Sequence, residues 1–313
     1  MSDTLTNNKL IIITGPTASG KTSLSIELAK AINGEIISAD SMQVYKGMDI
    51  GTAKVTKEEM QGIKHYLIDC LDPKDEFNVS VFKELATKAL EEIYSKGKIP
   101  IICGGTGFYI QALLYDIRFD EETTSYKEEL QAYYDENGED ALFELLRSVD
   151  PESCEIIPKQ NIKRVIRAIE FYKLHGMKIS EHNKTERAKE SKFNFGYYCI
   201  TADREVMYDR IDKRVDIMFD NGLVDEVKGL MDMGLDKTYI SMQGIGYKEV
   251  IDYLNGETTL EEAKYIIKRD TRHFAKRQLT WFRREKCVDF IERKYVLGEE
   301  KTIVENIIKT MNL

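Results

Sequence analysis

Eight consecutive residues near the amino terminus, Gly15, Pro16, Thr17, Ala18, Ser19, Gly20, Lys21 and Thr22, satisfy the pattern G-x-x-x-x-G-K-[ST] without a mismatch. Each residue type in that string has a task in holding phosphate. The glycines let successive backbone N–H groups turn toward phosphate oxygens, and a helix starting at the loop adds positive potential from its N-terminus. Lys21 supplies a point charge for a terminal phosphate, and the Thr22 hydroxyl can hold Mg²⁺. The alternative is a chance match in a surface loop, which a preceding strand and a following helix argue against. The pattern speaks for phosphate and leaves the rest of the ligand open.

Other residues compete for a place beside that loop. Asp40 follows a strand candidate directly and is succeeded by Ser41, Met42 and Gln43. Its carboxylate can ligate Mg²⁺ or take a proton from an amine or hydroxyl, but it can equally cap a turn. The string Gly104-Gly105-Thr106-Gly107 follows another strand candidate, bringing free N–H groups and the Thr106 hydroxyl to a turn. Tight helix–strand packing would use the same glycines. Asp69, after Tyr66-Leu67-Ile68, resembles a metal-binding strand-end carboxylate, with a structural role as the alternative. His65, His175, His182 and His273 show no metal-ligand spacing. Basic residues concentrate in Lys268, Arg269, Arg272, Lys276, Arg277, Arg283 and Arg284, interleaved with His273, Phe274, Trp281 and Phe282. A smaller group, Lys159, Lys163, Arg164 and Arg167, carries Gln160 and Asn161 between its charges. Lysine and arginine engage phosphates while amides and aromatics engage unstacked bases, so both segments suit RNA, although a solvated amphipathic helix would look alike.

The elements that must position these groups alternate. Residues 10–13 form a short apolar run typical of a buried parallel strand, and residues 22–32 set Leu24, Leu28 and Ile32 on one helical face. Residues 35–39, 66–68 and 99–103 read as further strands and residues 79–94 as an amphipathic helix. This β-α-β rhythm predicts an α/β fold, a P-loop-type parallel sheet in which all three candidate turns share the carboxyl edge. From about residue 120 to 191 the strand signal gives way to helix-forming segments, including 141–147 and 161–174. One strand returns at 195–201, and from residue 204 onward the pattern is helical again. The expected division is a core of residues 1–119 and 192–313 with C-terminal helices, and a helical insertion at 120–191.

A net charge of -9 speaks against a nucleic-acid partner only if it is evenly spread, and it is not. Between Asp120 and Glu152 twelve acidic residues face only Lys127 and Arg147, which reads as a solvent-facing acidic side on a nearly neutral remainder. The five cysteines are dispersed without a C-x-x-C, as expected of reduced thiols in a cytoplasmic protein. No apolar stretch is long enough to span a membrane, and the amino terminus lacks a signal-peptide layout.

Taken together and in order, the motifs closely resemble the tRNA dimethylallyltransferase (isopentenyltransferase) family. They are GPTASGKT at 15–22, ISADSMQVYKGMDIGTAK at 37–54, HYLIDCLDP at 65–73, FNVSVF at 77–82 and GGTGFYIQALL at 104–114. QNIKRVIRAIE at 160–170, RVDIMFDNGLVDEV at 214–227, QGIGYKE at 243–249 and FAKRQLTWFRR at 274–284 complete the set. The resemblance implies transfer of a dimethylallyl group from dimethylallyl diphosphate to N6 of adenosine 37, beside the anticodon of tRNAs reading codons that start with U. It implies that the phosphate loop holds the diphosphate, with Mg²⁺ near Thr22, and that the adenosine is flipped out to meet the donor. Asp40 would accept the N6 proton, Thr106 would position the nucleotide, and Lys21, Arg214 and Arg277 would stabilise the departing diphosphate. Asp40, Ser41, Met42, Gln43 and Thr106, with Gln160, Asn161, Ile162, Lys163 and Arg164, fall where the family contacts tRNA. Arg283 and Arg284 are expected to add phosphate contacts, and the insertion to grip the anticodon stem-loop. Without Cys/His pairs after residue 284 other than the lone Cys287, the chain resembles the compact bacterial type, and a monomer is expected.

Three rival readings share part of this pattern. A P-loop kinase would use Asp40 as base for a hydroxyl but has little need of a basic C-terminal helix. An adenylate isopentenyltransferase would keep the loop and Asp40 but lack an RNA-gripping insertion. A non-catalytic RNA-binding module would leave the phosphate loop unemployed. The loop motif alone suits ATP as well as a prenyl diphosphate, and the family resemblance favours the latter.

Overall fold

The computed structural model describes residues 9–117 and 126–313. Six strands, β1 (Lys9–Thr14), β2 (Gly34–Ser38), β3 (His65–Tyr66), β4 (Ile99–Gly104), β5 (Asn194–Ala202) and β6 (Val288–Arg293), form one sheet in the order β3-β2-β4-β1-β5-β6. Every neighbouring pair is parallel, the α/β, P-loop-type architecture that the alternating pattern predicts. The continuous apolar run of β1 follows from burial on both faces. Ile11 and Ile13 pack with Leu24 and Leu28 of the helix Lys21–Ile32 and with Ile303, Val304, Ile307 and Met311 of the helix Glu299–Met311. Leu10 and Ile12 are equally buried and, by alternation, face the other side. Each such side chain contributes about 1.5–3 kcal/mol by leaving water.

Register decides what this sheet can do. Thr14 pairs with Gly104 and with Cys199, and Ser38 pairs with Cys103, so β1, β2 and β4 end level with one another. The turns that follow them therefore leave one edge together. The Ala39 N–H donates to the Cys103 carbonyl (2.9 Å), and the Ala39 carbonyl accepts from the Thr106 N–H (3.1 Å), tying the second turn to the third.

Two elements differ from the sequence expectation. The third strand is only His65–Tyr66, because Leu67 and Asp69 take left-handed backbone conformations that end it. The region after residue 204, expected to be helical throughout, contains β6. Its sequence VDFIER mixes charged and apolar residues because it is an edge strand with a single neighbour, β5.

The chain falls into two compact units, Met1–Leu114 with Lys192–Leu313, and Tyr115–Ser191. The second is built from the helices Lys127–Val149, Pro151–Ile156, Ile162–His175 and Ile179–Ala188 around Leu130, Leu142, Leu146, Val165 and Ile169. Of its acidic stretch, residues 120–125 lie outside the described residues. Glu129, Glu144 and Glu152 pair with Lys173, Arg147 and Lys184, and Glu139 and Asp140 with Lys159, as a solvent-facing side should. Asp150 does not belong to that side. It is fully buried and accepts from the backbone N–H and hydroxyl of both Ser153 and Ser180, at 2.6–3.2 Å. Burial alone would raise its pKa, but these donors hold the carboxyl below its ordinary value.

Because the folded pKa lies below the unfolded one, Asp150 contributes its full stability above pH ~4 and loses it as pH falls through the folded value. Asp150→Ala should therefore destabilise the helical unit by about 1–3 kcal/mol at neutral pH and remove part of its acid sensitivity. Hydrogen exchange of residues 127–188 at pH 7 and pH 3 measures both, and an unchanged exchange pattern at neutral pH would contradict this role.

Candidate active site

A cleft opens at the carboxyl edge of the sheet. Thr17, Lys21 and Thr22 line it from the first turn, Asp40 and Gln43 from the second, and Gly104 and Gly105 from the third. Arg214, Phe274 and Gln278 enter from the helices Arg204–Asp220 and Leu260–Phe282. Ile36, Ala53, Val55 and Ile68 supply an apolar wall, and His65 lies beside them. Each of the three candidate turns thus reaches one cleft.

The phosphate loop is held by distant side chains. The Thr17 N–H donates to Gln278 Oε1 (2.9 Å), while Gln278 Nε2 donates to the Gly105 carbonyl (3.0 Å). One buried amide therefore bridges both glycine-rich turns. A Cβ at Gly105 would collide with Gln278 Nε2, so glycine is what admits the bridge. The Arg214 guanidinium reaches the Thr17 hydroxyl (3.5 Å), and Lys21 Nζ donates to the Pro16 carbonyl (2.8 Å). The N–H groups of Ala18, Gly20, Lys21 and Thr22 have no acceptor among the described residues, and Ser19 Oγ is buried without a partner.

Electrostatics gives these unmatched donors a meaning. Burial pulls the Lys21 ammonium below its ordinary pKa, with Arg214 pushing the same way against Cys103 and Asp40. Burial lowers Arg214 as well, and neighbouring Arg210 adds to it. Two desolvated cations beside a row of unpaired N–H donors are costly alone and become favourable around a polyanion. A diphosphate group has that charge.

Asp40 caps its turn and also lines the cleft. Its Oδ1 accepts from the N–H groups of Met42 (2.9 Å) and Gln43 (3.4 Å), which is the turn-capping role. Its Oδ2 has no hydrogen-bond partner among the described residues, and the side chain lines the cleft. Half-buried Ser41 and Met42 follow, with Met42 against Gly244, and Gln43 Nε2 donates to the Thr52 and Ala53 carbonyls (3.2 and 3.3 Å). Thr106 starts the helix Gly107–Leu114, its carbonyl accepting from Tyr109, and is fixed beside Ala39. Asp69 is not in the cleft; it pairs with buried Lys54, the structural alternative.

Other expected site residues lie away from the cleft lining. Arg277 is exposed, its guanidinium 5.7 Å from the Phe274 ring centroid, and does not line the cleft. In the basic helix the early cations are neutralised: Lys268 by Asp216, Arg269 by Asp270 and Arg272 by Asp212. Lys276, Arg277, Arg283 and Arg284 make no ion pair among the described residues. Exposed Phe108 meets Trp281 edge-on at 6.1 Å. In the helical unit, Gln160, Lys163 and Arg164 are exposed, and Asn161 caps the helix Ile162–His175 by accepting from Arg164 N–H (3.4 Å). Ile162 packs against that unit's core, which limits what its side chain offers a partner.

Sequence reasoning passed over Gln278 and Arg210. Gln278 has one sequence signal: with Ala275 and Phe282 it sits at i, i+3 and i+7 on the buried face of the helix. An amide on such a face must have partners.

The family model described as IPP transferase matches residues 43–285. The chain is 55% identical over 300 residues to the tRNA dimethylallyltransferase of Lachnoclostridium phytofermentans, covering 95% of this chain and 96% of that protein. The full-length tRNA isopentenylpyrophosphate transferase from Bacillus halodurans is similar in structure, with a TM-score of 0.74 and 43% identity over 98% of this chain and 97% of that one. A eukaryotic dimethylallyltransferase acting on tRNA gives a TM-score of 0.82 at 29% identity, over 98% of this chain and 79% of that one.

The Gln278 bridge makes a specific thermodynamic demand. Gly105→Ala should destabilise by about 1–3 kcal/mol through the forced contact, and Gln278→Ala by a similar amount through two unpaired backbone groups. The double variant should lose clearly less than the two combined, because the amide that the new methyl group would strike is gone. Urea unfolding of the four proteins measures this, and additivity within about 0.5 kcal/mol would contradict a direct contact.

Proposed function

The chain belongs to the IPP transferase family, and from that premise we propose that it is a tRNA dimethylallyltransferase. It transfers a dimethylallyl group from dimethylallyl diphosphate to N6 of adenosine 37 in tRNAs that read codons starting with U. The observation that carries the proposal is the meeting, in one cleft, of the phosphate loop, the two desolvated cations Lys21 and Arg214, and the Asp40 carboxylate.

In this reading the diphosphate accepts from the unpaired N–H groups of Ala18, Gly20, Lys21 and Thr22, and Lys21 and Arg214 face its oxygens. The allylic tail runs along the apolar side, where Ile36, Val55 and Ile68 exclude water. The new bond joins N6 to C1 of the prenyl group while the C1–O bond breaks, and the electron pair leaves on diphosphate. Charge therefore grows where Lys21 and Arg214 stand, so their interaction strengthens as the bond breaks. The adenine N6 lone pair is delocalised into the ring, making it a weak nucleophile. Asp40 answers that by taking the N6 proton on Oδ2, while its Oδ1 bonds keep the carboxylate oriented.

The donor set fits Mg²⁺. Mg²⁺ takes oxygen ligands and is commonly held by one or two protein oxygens together with substrate phosphates and water, and the Thr22 hydroxyl at the cleft is such an oxygen. Thr22 would hold it through its hydroxyl, and the ion would neutralise diphosphate charge. The acceptor is the anticodon stem-loop of tRNA. Ser41, Met42, Gln43 and Thr106 would surround the flipped adenosine. The unpaired cations Arg283 and Arg284 would take backbone phosphates. Residues 120–191 would contact the stem-loop through Gln160, Asn161, Lys163 and Arg164. No helix among the described residues is long and apolar enough to cross a membrane, and we take the protein to act as a cytoplasmic monomer.

Offered unmodified tRNA and AMP together, the protein should move label from dimethylallyl diphosphate into tRNA. Label in AMP would indicate a free-nucleotide enzyme, and the absence of label from both acceptors would refute the proposal. Asp40→Ala should cut transfer by about 10²–10⁴-fold with tRNA affinity retained; loss of tRNA binding instead would reassign Asp40. Replacing Arg283 and Arg284 by Gln should weaken tRNA binding and flatten the log–log salt dependence by about 1–2 units, since each lost phosphate contact removes about 0.7–0.9. An unchanged slope would put the RNA elsewhere.

A further inference from the structure

Three successive carbonyls of the phosphate loop are each engaged by a side chain from far along the sequence. The Ala18 carbonyl accepts from Arg210 Nε (2.9 Å), the Ser19 carbonyl from the Tyr295 hydroxyl (3.3 Å) and the Gly20 carbonyl from Arg293 Nη1 (3.3 Å). These three side chains also form a stack. The Arg210 guanidinium lies 4.1 Å from the Tyr295 ring centroid and that of Arg293 5.0 Å from it. Each cation–aromatic contact of this kind contributes about 0.5–1 kcal/mol when exposed and more when desolvated.

The stack is itself anchored. Arg293 is 7% exposed and pairs with Glu299 (3.4 Å) and Glu300 (2.9 Å). Glu299 also accepts from the N–H groups of Lys294 (2.6 Å) and Tyr295 (2.9 Å), fixing the left-handed backbone at Tyr295. Gly20 belongs to the same arrangement: at φ 81° it adopts a conformation that favours glycine, and a Cβ there would stand 2.6 Å from Arg293 Nη1. None of these contacts serves the hydrophobic core. Arg210, Tyr295 and Arg293 converge on carbonyl oxygens of the loop, whose N–H groups at Ala18, Gly20, Lys21 and Thr22 are left without acceptors among the described residues while the Ser19 N–H reaches the Pro16 carbonyl (3.4 Å).

We propose that Arg210, Tyr295 and Arg293 are positioning residues for the prenyl donor, an external brace that holds carbonyls 18–20 outward so that the N–H groups of Gly20 and Lys21, which share peptide units with the Ser19 and Gly20 carbonyls, stay presented to a diphosphate. A peptide unit cannot show both its groups to the same side, so engaging the carbonyl orients the amide. The brace acts through the loop and touches no reacting atom. The proposal rests on the loop being the donor site.

Tyr295→Phe is the test, since it keeps the ring and both cation contacts and deletes one hydroxyl. KM for dimethylallyl diphosphate should rise ~5–10-fold, the loss expected for one hydrogen bond. The kcat at saturating donor, the KM for tRNA and the thermal midpoint should change little. Arg210→Lys, which keeps the charge and loses the Nε donor, should shift the same constant in the same direction. Unchanged donor KM in Tyr295→Phe, or equal losses in donor and tRNA constants with a lowered midpoint, would overturn the brace. Titration with inorganic diphosphate separates this proposal from the functional one. If the wild-type protein transfers nothing, the functional reading fails. The brace then stands on a ~5–10-fold weaker diphosphate affinity in the variant and falls on an equal one.

Discussion

A loop that binds phosphate through its backbone must turn N–H groups toward one point, and the carbonyls between them must then go elsewhere. Backbone groups left unpaired in a folded chain are costly, so each displaced carbonyl needs a donor. This protein meets the requirement with residues scattered over the sequence. Lys21 takes the Pro16 carbonyl, Arg210 that of Ala18, Tyr295 that of Ser19 and Arg293 that of Gly20. Gln278 fixes the Thr17 N–H from another helix. The central position of β1, flanked by β4 and β5, is what lets so many elements reach one loop.

The helix Leu260–Phe282 illustrates how one element serves several ends. Its buried face carries Ala263, Ile267, Ala275, Gln278 and Phe282, and Gln278 joins the two glycine-rich turns. Two of its first cations, Lys268 and Arg272, are spent on acidic residues of the helix Arg204–Asp220, which secures the helix that also delivers Arg210 and Arg214. The last cations of this stretch remain unpaired among the described residues and exposed. Packing, loop alignment and a positive surface thus come from a single stretch.

Short-range signals were legible in the sequence, and long-range ones were not. The phosphate loop, β1, β2, β4 and β5, and the helices between them each carry a local pattern, and the parallel sheet follows from their alternation. Asp40 was legible as a carboxylate at the right edge, while its division between turn cap and cleft depends on where each oxygen points. Gln278 bonds across 261 residues, and Arg210 across 192. No spacing rule encodes such contacts. The edge strand β6 was hidden by its charged residues, since a strand with one neighbour needs little apolar content. Asp150 looked like one more surface acid; only the two serines folded around it reveal a buried node.

The central claim is that the braced loop with Lys21 and Arg214 holds a prenyl diphosphate. Calorimetric titration of the protein with dimethylallyl diphosphate and with ATP, each in the presence of Mg²⁺, tests it most directly. The account predicts saturable binding of dimethylallyl diphosphate that inorganic diphosphate displaces and that ATP competes for only weakly. Tight ATP binding with no response to dimethylallyl diphosphate would contradict it and return the loop to a kinase-like role.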